Sequence, residues 1–230
     1  MKRAPRSTGL NTKPDTLPTR SRFHALQCSS ALLVALATGA WSMAACAGEL
    51  QINVVDQNGA AVQDAVITAT PSSGKLPPRT AGRAIIDQIH RTFVPQVSVI
   101  QTGTLVTFPN KDNIQHDVYS FSPAKTFELN LYSGVAAKPV EFDKPGLVVL
   151  GCNIHDKMIA YVQVVDTPYF AKSDAAGHAL LSELPPDNYD VTAWSYRLSD
   201  PKGTLHVSAH SDAPAPLRFT LQLQPDVPKS

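Results

Sequence analysis

Residues 147–165 read Leu147-Val148-Val149-Leu150-Gly151-Cys152-Asn153-Ile154-His155-Asp156-Lys157-Met158-Ile159-Ala160-Tyr161-Val162-Gln163-Val164-Val165. Two apolar runs rich in β-branched side chains, Leu147 to Leu150 and Ile159 to Val165, enclose a polar loop. Such short runs pack as strands. The loop between them carries a thiol, an imidazole and a thioether at the spacing Cys-x2-His-x2-Met, and soft sulfur with imidazole selects copper or zinc.

Working outward, β-prone pieces recur almost without interruption. Leu50 to Val55 and Ala65 to Thr70 surround the turn Asp56-Gln57-Asn58-Gly59, whose Asn-Gly pair is a hairpin signal. A loop from Pro71 to Arg83 precedes strand candidates Ala84 to Ile89, Gln96 to Gln101, Thr104 to Phe108 and His116 to Phe121, with a looser stretch from Ser122 to Asp143 that holds Phe127 to Tyr132. After Thr167, turns at Ser173 to Gly177 and Pro185 to Asn188 separate His178 to Leu184 from Tyr189 to Tyr196, followed by Thr204 to Ala209 and Leu217 to Leu223. Helical periodicity is absent, and 19 prolines against 12 glycines suit turns and sheet edges. The expected fold class is all-β.

The 230 residues are 43% hydrophobic and 17% charged, enough to build one or two β cores. Twenty basic against 19 acidic residues leave no basic field for nucleic acid. Residues 1–47 read as an export leader: Lys2, Arg3, Arg6, Lys13, Arg20 and Arg22 face only Asp15, an apolar run spans Ala31 to Met43, and Ala45-Cys46-Ala47 is a cleavage site. Cleavage there sends the protein to the periplasm or beyond. Met43 stands where lipoprotein signals prefer leucine, which argues against acylation of Cys46. No transmembrane helix is expected in the mature chain, because the apolar run is too short and leaves with the leader. Removing the leader takes away six bases and one acid, so the exported chain is acidic, and it also takes Cys28, Cys46, Met1 and Met43. Cys152 and Met158 are then the sole thiol and the sole thioether.

A blue-copper centre needs two histidines, one cysteine and a weak axial methionine. His155, Cys152 and Met158 share the loop, and His116 opens a strand after Phe108-Pro109-Asn110-Lys111-Asp112-Asn113. Taken alone, a buried cysteine in a β core is a small hydrophobe; its spacing to His155 and Met158 favours a ligand. His90, His178, His206 and His210 read as polar residues on exposed strand faces, with His206 and His210 as a weaker second metal pair. Trp194 and Tyr189 read as core. No phosphate loop, HExxH, nucleophile elbow or carboxylate pair supports an enzyme.

The run Pro95 to Val118, with Gly103 to Phe108, Asn110, Asp112 and His116-Asp117-Val118, together with Pro145-Gly146 and Cys152 to Met158, resembles the cupredoxins, of amicyanin and plastocyanin type as in methylamine-utilization proteins. The resemblance implies a Greek-key sandwich over 84–166, a mononuclear copper cycling between Cu(I) and Cu(II), His116, Cys152 and His155 as equatorial ligands, and Met158 as the axial one. It also implies one-electron carriage between redox proteins, a cytochrome or an amine dehydrogenase being conceivable partners. Asp117 stands where many cupredoxins have asparagine. The alternative is a non-redox copper carrier, or a cell-envelope binding module with a structural metal. The segments Val55 to Ala65, Ser173 to Gly177 and Leu184 to Tyr189 resemble carboxypeptidase regulatory-like β-sandwiches. The expected organisation is therefore leader 1–47, strands 48–83, cupredoxin 84–166 and regulatory-like module 167–230, with the two outer parts forming one sandwich into which the cupredoxin is inserted.

Overall fold

The computed structural model describes residues 47–80, 82–135, 138–200 and 203–225. Residues 1–46 of the expected leader, with Cys28 and Cys46, lie outside the described residues. The described chain is all-β and contains no helix. Its strands, in order, are β1 (Gly48–Asp56), β2 (Val66–Pro71), β3 (Arg83–Ile85), β4 (Asp87–Ile89), β5 (Thr92–Val94), β6 (Val97–Gln101), β7 (Thr104–Thr107), β8 (Pro109–Asn110), β9 (His116–Ser122) and β10 (Lys125–Tyr132). There follow β11 (Gly134–Val135), β12 (Val140–Phe142), β13 (Gly146–Leu150), β14 (Ala160–Val165), β15 (Phe170–Lys172), β16 (His178–Leu184), β17 (Asn188–Trp194), β18 (Leu205–His210) and β19 (Leu217–Leu221).

Strands from the two ends of the described chain pair with one another. β1 lies between β16 and β19, antiparallel to the first and parallel to the second, while β2 lies between β15 and β17, with β18 at the edge. Alternating side chains of these sheets (Leu50, Ile52 and Val54; Leu181; Val191; Phe219 and Leu221) bury one core. Tyr189 and Trp194 belong to it, at 1% and 6% exposure.

The middle of the chain builds a second core from Phe93, Val106, Phe108, Val118, Phe142, Leu150, Ala160 and their neighbours. Its central sheet orders β13-β14-β6, with β14 antiparallel to β13 and parallel to β6. That sheet serves both cores. Val148, Leu150, Ala160, Val162 and Val164 face the second core, whereas Val97, Val99, Leu147 and Tyr161 pack on the first. A sheet packed on both faces over much of its length needs near-continuous apolar sequence, which Leu147 to Leu150 and Ile159 to Val165 supply, although Val149 and Ile159 themselves are exposed.

Local expectations are corrected in three places. The turn at Asp56 forms, with Gly59 at φ +83° and its N–H on Asp56 O, but it does not join paired strands. After the Val55 and Ala61 bridge the chain leaves for the opposite sheet, drawn by burial of Val62, Ala65 and Val66 in the interior between the sheets. Ala84 to Ile89 is two short strands rather than one, because Ile86 turns into the second core at 1% exposure. His90 sits in a turn, not on a strand face.

Candidate metal centre

His116 opens β9, where its register partner on β10 is Tyr132. The loop ahead of it is held by Asn110, 5% exposed, whose side-chain amide donates to Ile114 O and Tyr132 O, both at 2.8 Å, and whose Oδ1 accepts from Asp112 N–H at 3.0 Å. Below, the Tyr132 hydroxyl donates to Phe108 O and accepts from Gln88, and burial pushes its pKa up to about 12.

The second part of the site comes from the β13–β14 connection. Gly151 is bridged to Tyr119 of β9 through a pair of 3.0 Å backbone bonds. A Cβ at Gly151 would stand 2.6 Å from the far end of the Tyr119 ring, so glycine leaves the room that this ring occupies. Next, Asp117 accepts from Asn153 N–H at 2.8 Å and from the Asn153 side-chain amide, tying the loop to the residue after His116. Inside the loop, His155 N–H reaches Cys152 O at 3.3 Å and Met158 N–H reaches His155 O at 2.8 Å, which turns His155 back over the thiol.

These bonds gather three of the four expected residues. Donor atoms of His116, Cys152 and His155 lie within 4.8 Å of one another, and the histidine rings stand 5.0 Å apart at 57°. Met158, 1% exposed, shares the second core with Cys152. His116 is fully buried and its Nε2 lies 2.9 Å from Asp112 Oδ2. A carboxylate only accepts, so Nε2 carries a proton, and in the neutral imidazole Nδ1 is then left bare. That Nδ1 faces Cys152 Sγ at 3.8 Å. Bonds of about 2.0 Å to nitrogen and about 2.3 Å to sulfur, at a trigonal angle of about 120°, place the two donors about 3.7 Å apart. Buried His155 Nδ1 has no hydrogen-bond partner. A buried nitrogen with nothing to bond, beside a bare imidazole nitrogen and a thiol at metal-spanning distance, fits a soft ion.

Carboxylates stand beside two of the three donors, Asp112 at His116 and Asp117 at Cys152, a setting that suits a cation. Burial first, and then the Asp117 carboxylate beside it, push the Cys152 thiol above its usual range, so a cation must displace the thiol proton to bind there. Burial acts to raise the Asp112 carboxyl, but N–H groups of Arg91 and His90 and the His116 ring outweigh it and hold the group below the usual carboxylate value.

Solved structures similar to this chain include a Cu-containing nitrite reductase, an amicyanin and a purple cupredoxin. A Cu-containing nitrite reductase from Thermus scotoductus is 25% identical over 39% of this chain and 23% of its own, with a TM-score of 0.33. This chain thus spans about a quarter of that enzyme. A reduced Cu(I) form of an amicyanin mutant is 18% identical over 43% of this chain and 99% of its own, with a TM-score of 0.34. A purple cupredoxin from Nitrosopumilus maritimus is 21% identical over 36% and 99%, with a TM-score of 0.29. No protein-family model matches the chain, and no curated protein matches it. At such scores the cupredoxin likeness carries no weight of its own, and the donor geometry is what bears on chemistry.

The remaining histidines stay outside the cluster. His206 and His210 are exposed on β18, and each is bound to a carboxylate, Asp190 at 2.9 Å and Asp212 at 2.5 Å; among the described residues only the one metal-ligand group forms. His178 is exposed on β16. Sequence reasoning placed Asn110 and Asp112 near the site but assigned them no role. The spacing of Asp112 to His116, four residues within one short loop, is the signal that could have pointed to a partner for the ring.

Proposed function

We propose that the protein is an exported type 1 copper protein that carries one electron at a time between redox proteins, and is not an enzyme. The observation that supports this most directly is the bare His116 Nδ1 at 3.8 Å from Cys152 Sγ, with the orphaned His155 Nδ1 completing the cluster. His116, Cys152, His155 and Met158 would hold the ion. Copper supplies a one-electron couple when bound to such a donor set. The chain's contribution is to keep the donors still. His116 is held by Asp112, and Cys152 packs in the second core and begins a loop pinned by Asp117. Donors that do not move between charge states minimise reorganisation, which suits carriage. Four protein donors also leave no need for an activated water, as hydrolysis would require.

Ile114 and Ile154, 39% and 49% exposed, supply apolar surface on the two loops that form the site, suited to a redox partner. The sandwich of β1, β2 and β15 to β19, whose turns resemble regulatory-like modules, is proposed to serve as the platform on which the copper-binding part is mounted. Export follows from the leader-like residues 1–47. Among the described residues no helix is long and apolar enough to cross a membrane.

Addition of Cu(II) to the purified protein tests the reading. An intense visible thiolate-to-copper band that bleaches and returns on reduction and oxidation is expected. Cys152→Ser removes the band, and Met158→Leu keeps copper while raising the potential. Absence of the band in the wild-type protein refutes the blue-copper reading. A band without reversible redox behaviour points instead to a non-redox copper carrier or a module with a structural metal.

A further inference from the structure

We propose that Asp112 is the positioning residue for His116, and that the amides of the His90-Arg91 turn are what hold Asp112 in place. The proposal rests on the reading of His116 as a metal ligand and adds how that ring is aimed.

β4 and β5 pair with Asp87 opposite Val94 and Ile89 opposite Thr92, leaving His90 and Arg91 as a two-residue loop. Both residues have positive φ, 54° and 59°. This is the primed hairpin geometry, normally filled by Asn-Gly or Gly-Gly, and each non-glycine residue in that region costs about 1–2 kcal/mol. Neither side chain is of the type that lowers this cost best. The offset comes from outside the hairpin: Asp112 Oδ1 accepts His90 N–H at 2.7 Å and Oδ2 accepts Arg91 N–H at 2.8 Å. The same Oδ2 lies 2.9 Å from His116 Nε2.

Three donors therefore converge on one largely buried carboxylate, with 12% side-chain exposure. Two of them belong to a backbone that the carboxylate itself stabilises, and the third is the ring. The loop is fastened to the hairpin again by Lys111 N–H to Gln88 O at 2.9 Å and by the Lys111 and Asp87 ion pair at 2.7 Å. Rotation of the His116 ring would break a bond to a carboxylate that two backbone N–H groups already fix in direction. Only a carboxylate fits, because an amide at 112 would aim its NH2 at a donor. Sequence reading treats His90 as a surface side chain; its contribution to the site is its main-chain N–H.

The test separates support of the turn from aim of the ring. In the full protein, Asp112→Ala is expected to weaken Cu(II) binding about 10- to 100-fold, the range for loss of a ligand's outer partner, and to shift the visible band and the reduction potential. Adding His90→Asn and Arg91→Gly to Asp112→Ala gives the turn residues that favour its geometry unaided, so resistance to urea should return. Copper affinity and the band should not. Return of both with the stability, or an Asp112→Ala protein with an unchanged band and affinity, overturns the proposal. In the metal-free protein, the His116 Nε2–H should appear in nitrogen-resolved NMR as a protected signal, lost in Asp112→Ala and kept in the His90→Asn, Arg91→Gly protein. That measurement decides the tether even if the wild type takes up no copper, in which case the metal reading fails and the tether does not.

Discussion

Asp117 occupies the position at which the two halves of the site are tied together, and replacing it yields a graded outcome. Its buried carboxylate, 4% exposed, accepts two bonds from Asn153, one from the main chain at 2.8 Å and one from the side-chain amide. Hydrogen bonds to a charged group contribute about 1.5–3 kcal/mol each. Asn153 is exposed, so water replaces much of what its donors lose, and the pair together should contribute about 2–3 kcal/mol. Asp117→Ala should therefore lower the Tm of the metal-free protein by about 5–10 °C. Asp117→Asn should cost less than about 1 kcal/mol, because its carbonyl keeps the Asn153 N–H and the Asn153 amide turns over to accept from the new NH2. Both variants remove a carboxylate that faces the Cys152 thiol, so both should raise the copper reduction potential. Thermal melts, urea midpoints and voltammetry read these quantities. Equal destabilisation by alanine and asparagine, or an alanine variant within about 0.5 kcal/mol of wild type, would show that Asp117 does not act as a clamp on the ligand loop.

Further tests probe the scaffold. Tyr161 of β14, the strand that serves both cores, stacks on Tyr196 at 4.9 Å against the first core, so Tyr161→Ala should loosen the coupling between them and separate the urea transition followed by Trp194 fluorescence from that followed by the copper band. Gly177, at φ +78°, would place a Cβ 2.4 Å from Val54 O, whereas Gly59, at φ +83°, has open space around it. Gly59→Ala should cost about 1–2 kcal/mol, and Gly177→Ala clearly more, as compared by denaturant midpoints. Burial lifts the Tyr189 hydroxyl from 10.0 to about 12. A raised folded-state value stabilises below the unfolded pKa and is lost as pH rises from 10 towards 12, so the wild type should weaken across that window. Tyr189→Phe should flatten this alkaline limb while losing about 1 kcal/mol at neutral pH with the bond to Pro185 O, an outcome that melts recorded against pH will check.

How much of this was legible beforehand differs from residue to residue. Strand type and approximate place follow from local pattern, because a half-buried or fully buried strand must repeat its apolar residues at short range, as β9, β13, β14, β16 and β17 do. The Asn58-Gly59 turn was legible as a turn, but not as a crossing between sheets, since turn chemistry is local and strand partnership is not. Ile86 breaks a run that looked continuous because the need to fill the second core outweighed local strand propensity.

The same division holds at the site. Three residues able to bind a soft ion were evident from chemistry alone, because one thiol, one thioether and one imidazole within Cys152 to Met158 form a rare combination, whereas His116 was singled out by its place in the cupredoxin-like run. Their convergence was not. His116 and Cys152 are 36 residues apart in sequence and meet only because Tyr119 and Gly151 bring β9 against the start of the ligand loop. Which imidazole nitrogen is free was decided by Asp112, and Asp112 in turn by two amides some 20 residues earlier. Donor type is a property of side chains and can be read from letters; donor direction is set by hydrogen bonds between segments distant in sequence, and exists only once the chain has folded.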